Sequence, residues 1–165
     1  MNKKLDVKLA FKLTDRANGS LVGKVIGWWT NSLAYHVEII VGDNWISSNA
    51  EHGGVTINPL RTLKETWMYH DLGKIEVTEK QYSDFLDFID SQKGKKYDWL
   101  GIILSQTIPF NWHSKNKWFC SEITTKLLQL LLVRETFDLD PNDVSPADLA
   151  RLFNIHVPFR KGKLW

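Results

Sequence analysis

Strand patterns crowd the first half of this chain and helix patterns the second, which predicts a domain of mixed class built on an antiparallel meander. Three observations carry that expectation. Val7, Leu9, Phe11 and Leu13 alternate with Lys8 and Lys12, and Tyr35-His36-Val37-Glu38-Ile39-Ile40-Val41 is rich in β-branched residues. Gly42-Asp43-Asn44 and His52-Gly53-Gly54 are turn signals that fold such runs back on themselves. Thr78-Glu79-Lys80-Gln81 is a capping box, and Ile123, Leu127, Leu128, Leu130, Leu131 and Leu132 form an apolar helical face around Lys126 and Gln129.

Taken in order, the first strand covers Val7 to Leu13. Asn18-Gly19-Ser20 is a turn whose serine N-caps a short helix through about Trp29. The histidine strand follows, Trp45 to Ser48 returns beside it, and Val55-Thr56-Ile57 continues the meander. Beyond a loop from Pro59 to Lys64, Trp67 to Val77 reads as one or two strands broken near Gly73. The capped helix runs from Thr78 to about Gln92, burying Tyr82, Phe85, Leu86 and Ile89, and Lys93-Gly94-Lys95-Lys96 ends it. Tyr97-Asp98 starts a second apolar helix through about Gln106, and Pro109 to Lys117 forms a loop. A helix from Cys120 to about Arg134 comes next. A polar turn from Asp138 to Asp143 then leads to Ser145-Pro146-Ala147-Asp148, with serine as N-cap and proline at the first helical position. Ile155-His156-Val157 and a basic, aromatic tail, Phe159 to Trp165, close the chain.

Composition narrows the function classes. The 165 residues fit a single domain, residues 1–165, and 43% hydrophobic content supplies a core. A formal net charge of +2 does not mark a nucleic-acid partner. One cysteine forms no internal disulfide, and Met1 to Lys8 lacks the apolar stretch of a signal peptide, so the expected location is the cytoplasm unless another system, such as a virion, carries the protein out. The apolar run from Leu127 to Val133 is too short to cross a bilayer. Eight tryptophans are many for this length; Trp28 and Trp29 precede the histidine strand, while Trp112 and Trp118 precede the cysteine. Tryptophan suits cleft walls where one edge stays wet.

The chemistry centres on Cys120, in Trp118-Phe119-Cys120-Ser121-Glu122, where a helical pattern begins. A helix N-terminus presents unpaired N–H groups and favours the thiolate, the nucleophilic form of cysteine. His36 on a strand is the matching general base. The ordinary alternative is a small buried hydrophobe. A third group has to orient the imidazole. Glu38 leads, since two residues along a strand keeps it on the face of His36, roughly 7 Å away; Ser48 follows, although a hydroxyl brings no charge to an imidazolium. His113, seven positions before Cys120, is a rival base, and His52, His70 and His156 read as ordinary histidines. Glu122 suits the first turn of the helix but as a carboxylate near the thiol it opposes thiolate formation. No histidine or cysteine pair has zinc spacing, and nothing calls for a cofactor.

The succession of Tyr-His-Val-Glu-Ile, Gly-Asp turn, strand, Gly-Gly-Val turn, capped helix, Gly-x-x-Tyr-Asp, Phe-Cys-Ser-Glu and Ser-Pro-Ala-Asp-Leu resembles the circularly permuted NlpC-type papain-like cysteine hydrolases. That branch includes relatives of lecithin:retinol acyltransferase, and the likeness spans Ser20 to Leu152. It implies an α+β, papain-like fold with a central antiparallel sheet flanked by helices. It also implies Cys120 as nucleophile at a helix N-terminus, His36 as base, and Tyr97 and Asp98 at the edge of the site. Trp28, Trp29, Tyr97 and Trp118 are the candidate substrate-binding residues.

The expected activity is therefore a cysteine hydrolase of the amidase or peptidase type, acting through an acyl-enzyme on a peptide, a peptidoglycan stem or another acyl substrate. Two further readings stand beside it. One is a binding or assembly module that keeps the fold without catalysis. The other is lipid acyl transfer or thioester hydrolysis at a membrane surface, for which Trp28-Trp29 and the Phe159 to Trp165 tail would be interfacial anchors.

Overall fold

The computed structural model describes residues 2–13, 24, 32–49, 54–59, 67–97 and 117–157. They form an α+β arrangement: a five-stranded antiparallel sheet and three helices. The strands are β1 (Asn2–Leu13), β2 (Ala34–Val41), β3 (Asn44–Asn49), β4 (Gly54–Pro59) and β5 (Trp67–Thr78), and their order across the sheet is β4-β3-β2-β1-β5. Helices α1 (Glu79–Gln92), α2 (Cys120–Leu130) and α3 (Pro146–Leu152) follow, with 3-10 turns at Arg134–Thr136 and Pro141–Asp143 between the last two. A short parallel pair, β6 (Lys96–Tyr97) with β7 (Lys117–Trp118), forms a second small sheet against β4, where Val55 N–H bonds Lys95 O at 3.0 Å.

Period-two patterning sets the two faces of the sheet. Val7, Leu9 and Phe11 of β1, Val37, Ile39 and Val41 of β2, and Ile46 of β3 point one way. They meet Phe85 and Ile89 of α1, Ile123, Leu127 and Leu128 of α2, and Leu149 and Ala150 of α3 in one core. Ile123, Leu127 and Leu128 are wholly buried, each stabilising the fold by about 2 kcal/mol. The opposite face carries a smaller cluster of Ala10, Ile40 and Trp45 with Trp67 packed against it.

Several expectations change. β1 begins at Asn2 rather than Val7, because residues Asn2 to Asp6 pair with β5 past the end of β2. The Trp67 to Val77 region is one strand, not two; it absorbs its glycine as a bulge. Val7 faces Gly73 and Lys8 faces Asp71, so Leu72 is the extra residue. Gly73 has a φ of 76° and donates its N–H to Asp71 Oδ1 at 2.7 Å, a geometry open to a residue without a Cβ.

The capping boxes form as the side chains demand. Thr78 accepts from Gln81 N–H while Gln81 returns to Thr78 N–H, and Ser145 and Asp148 do the same with Pro146 at N1. Helix α1 buries Phe85 and Ile89 but leaves Leu86 42% exposed, one residue around from the stripe that faces the sheet. Tyr82 is half-buried beneath Lys3 Nζ, 4.4 Å from its ring centroid.

Helix α2 stops at Leu130, short of Arg134. Leu132 adopts φ 61°, Val133 N–H bonds Leu128 O and Leu132 N–H bonds Gln129 O, a Schellman closure with leucine where glycine is usual. Tyr97 closes a two-residue strand instead of opening a helix. Of the expected Ser20 to Trp29 helix only Lys24 is described, and it is helical. Pro59 and Lys117, expected in loops, end β4 and begin β7, while the rest of those loops, the Asp98 to Gln106 helix and the Phe159 to Trp165 tail lie outside the described residues. No helix among the described residues is long and apolar enough to cross a membrane.

Candidate active site

Cys120 opens α2 because Phe119, extended at φ −84° and ψ 158°, marks the residue before the first helical turn. Phenylalanine has no oxygen to cap with, and the closing contact comes from the other side. Glu122 Oε2 accepts the Phe119 N–H at 3.1 Å. Glu122 is thus directed back around the helix start, where a carboxylate complements the N–H groups.

His36 sits near the start of β2, and the ladder is irregular there. Lys12 faces His36 and Leu13 faces Ala34, so Tyr35 is an extra, bulged residue. The bulge shifts the phase of the strand. Ala34 joins the helix-facing core, whereas His36 and Glu38 belong to the face of Ile40. On the other side, β2 pairs with β3 only through Ile39, Ile40 and Val41. The two strands part beyond that point. Helix α2 packs against both, and its first residue, Cys120, is hydrogen-bonded to the backbone of Val37, on the stretch of β2 that β3 does not pair.

This opening lets a thiol from the helix side reach a histidine on the other face. His36 Nε2 lies 3.1 Å from Glu38 Oε1, with Glu38 1% exposed and His36 8% exposed. Burial acts against a charged imidazole, but the negative charge of Cys120 with its hydrogen bonding, and then Glu38, outweigh it. The His36 pKa is raised from 6.5 to about 9. Burial likewise pushes the Cys120 thiol up, and the charge and hydrogen bonding of His36 overcome this, helped by the Val37 and Ser121 N–H groups. The Cys120 pKa is lowered. Each shift is the other's counterpart, as in a thiolate–imidazolium pair.

Of the residues singled out in the sequence, Cys120, His36 and Glu38 come together. Ser48 lies on the side of the sheet from which Cys120 comes and not on that of His36 and Glu38: Ile40 faces Trp45 and Ile39 faces Ile46, so Ser48 falls on the helix-facing side, fully buried. Glu38 is the carboxylate bonded to the imidazole, on the face where the strand period places it. Tyr97 and Trp118 are register partners in the short parallel pair, and Trp118 lies two residues before Cys120. Trp28, Trp29, His52 and His113 lie outside the described residues. His70 is on β5 with its ring 5.8 Å from that of Phe153, and His156 is exposed.

Sequence reasoning missed Trp67. Its ring stands edge-on to His36 at 6.1 Å between centroids and meets Trp45 in the same manner at 5.6 Å. It is 31 positions from His36 and two strands away, beyond the reach of local pattern. The available signal was its place at the head of a strand in a tryptophan-rich chain. No group of three or more histidine, cysteine, aspartate or glutamate side chains among the described residues could hold a metal ion. No protein-family model, curated protein or solved structure matches this chain.

Proposed function

We propose that this protein is a cysteine-dependent hydrolase of the amidase or peptidase type, related to the circularly permuted NlpC-type papain-like enzymes. The observation that carries the reading is the shared imidazole: His36 is bonded to a buried Glu38 and electrostatically paired with Cys120 at a helix N-terminus. A structural cysteine in an apolar core has its pKa raised. Here the direction is the reverse.

The chemistry follows from that pair. The Cys120 thiolate attacks an acyl carbon, forming a C–S bond and moving the carbonyl electrons to oxygen. N–H groups at the helix start are the candidate donors to that oxyanion. As the electrons return, the C–N or C–O bond breaks and His36 gives its proton to the leaving group. A thioester and a neutral imidazole remain. His36 then takes a proton from water as the hydroxyl adds to the thioester, the acid departs, and the thiolate–imidazolium pair is restored. With Nε2 engaged by Glu38, Nδ1 is the nitrogen left for these transfers. Glu38 holds the ring and balances the charge of the imidazolium.

The test is alkylation by iodoacetamide across pH, in the wild type and in His36→Ala. The chain has one thiol, so every adduct reports Cys120. Fast labelling well below pH 8 that His36→Ala slows supports the reading. Labelling that follows an ordinary thiol of pKa about 8.5 and ignores His36 overturns it in favour of a non-catalytic binding module.

A further inference from the structure

The face that carries His36 and Glu38 holds a cation that the mechanism does not use. Lys12 lies between His36 on β2 and Trp67 on β5, register partner to both, so the three form one cross-strand row. The bulge at Tyr35 brings that ring to the same side. Lys12 Nζ is 5.9 Å from the Tyr35 centroid and 5.8 Å from that of Trp67, and the same Trp67 ring meets His36 edge-on. Ammonium and imidazole thus flank one indole.

Lys8, two rungs away on this face, shows the usual fate of such a lysine: it pairs with Asp71 at 3.7 Å. Lys12 is half-buried, and among the described residues no carboxylate pairs with it. Two aromatic faces at these distances hold an ammonium less strongly than a charged partner does in a half-buried setting. Nearby, Glu38 is already committed to His36. The ring-framed ammonium is therefore poised for an anion that arrives with a ligand.

We infer that Lys12 selects substrates bearing a carboxylate a few bonds from the scissile carbonyl, with Tyr35 and Trp67 as the walls that hold the ammonium in place. The inference rests on the cysteine-hydrolase reading and names its substrate class: acidic acyl groups or peptides, in preference to neutral ones. Lys12 acts as a specificity residue and takes no part in bond making.

The experiment compares iodoacetate with iodoacetamide on the full chain at pH 7, in the wild type, Lys12→Met and Lys12→Arg. The two reagents differ by one carboxylate, and their rate ratio cancels any general effect on the thiol. The wild type should favour iodoacetate. The ratio should fall on the order of tenfold in Lys12→Met, recover in Lys12→Arg, and shrink in 1 M salt. The ratio of kcat/KM for the p-nitrophenyl esters of succinate and butyrate should move in parallel. Fast labelling with a ratio that Lys12→Met leaves unaltered overturns the inference and spares the hydrolase reading. Slow labelling by both reagents, insensitive to His36→Ala, overturns the reading and the inference with it.

Discussion

Glu38 joins strand geometry to acid–base chemistry in a single side chain. It is 1% exposed, and His36 carries the opposite charge 3.1 Å away, which offsets the cost of burying a carboxylate. Glu38→Gln keeps the shape and the hydrogen bond but removes the charge, so the imidazolium is held less firmly. The acidic loss should appear as a downward move of the alkaline limb of kcat/KM from about pH 9, together with a fall in kcat on the order of 10²–10⁴-fold. A pH–rate profile of both proteins on one ester checks this; a merely structural glutamate would lower the amplitude and leave the limb in place. Cys120, His36 and Glu38 were legible in the sequence because each sits on a local pattern: a helix start, a β-branched run, a two-residue period. Trp67 and Lys12 were not, since their relation to His36 exists only once β5, β1 and β2 lie side by side.

Elements were readable to the extent that their ends are made by side chains bonding their own backbone. Thr78 with Gln81 and Ser145 with Asp148 announce α1 and α3 directly. The end of α2 is different. Its closure relies on Leu132 at φ 61°, a conformation that costs a residue with a Cβ about 1 kcal/mol and that leucine does not advertise. The parallel Schellman turn after α3 uses Asn154 at φ 53°, a residue that tolerates it better. Leu132 is 46% exposed, so little packing is lost on its removal. Leu132→Gly should therefore stabilise the protein by about 0.5–1 kcal/mol, read as a rise in urea midpoint without a change in slope. The bulges at Tyr35 and Leu72 were equally hidden, because a bulge is a property of two strands and not of one.

At the scale of the whole molecule, the thiol–imidazole pair ties stability to pH. The His36 share, from a raised pKa, is full below pH 6.5 and lost as pH rises through about 9. The Cys120 share, from a lowered pKa, is full above 9.0 and lost as pH falls through its depressed value. Between these limits the slopes oppose each other and the pair contributes a plateau. Urea unfolding of the wild type and a His36→Gln/Cys120→Ser double variant should differ by a nearly constant amount on the alkaline side, up to about pH 9. As pH climbs past 9 the unfolded thiol and the folded imidazole lose their protons together, so the difference should stay level there, and it should change only on the acid side as Cys120 takes up its proton; a steep change above pH 9 would contradict the charge assignment.

The extra residue at Tyr35 has a consequence for how this chain can change over time. It acts as a frame shift in the β2 pattern: Ala34 and His36, two apart, would otherwise face the same way, yet one faces the helices and the other the indole rings. Substitutions at Tyr35 alter a wall and leave the frame intact. Loss of the residue sends either Ala34 or His36 to the wrong side, so the position should accept many side chains while tolerating no deletion.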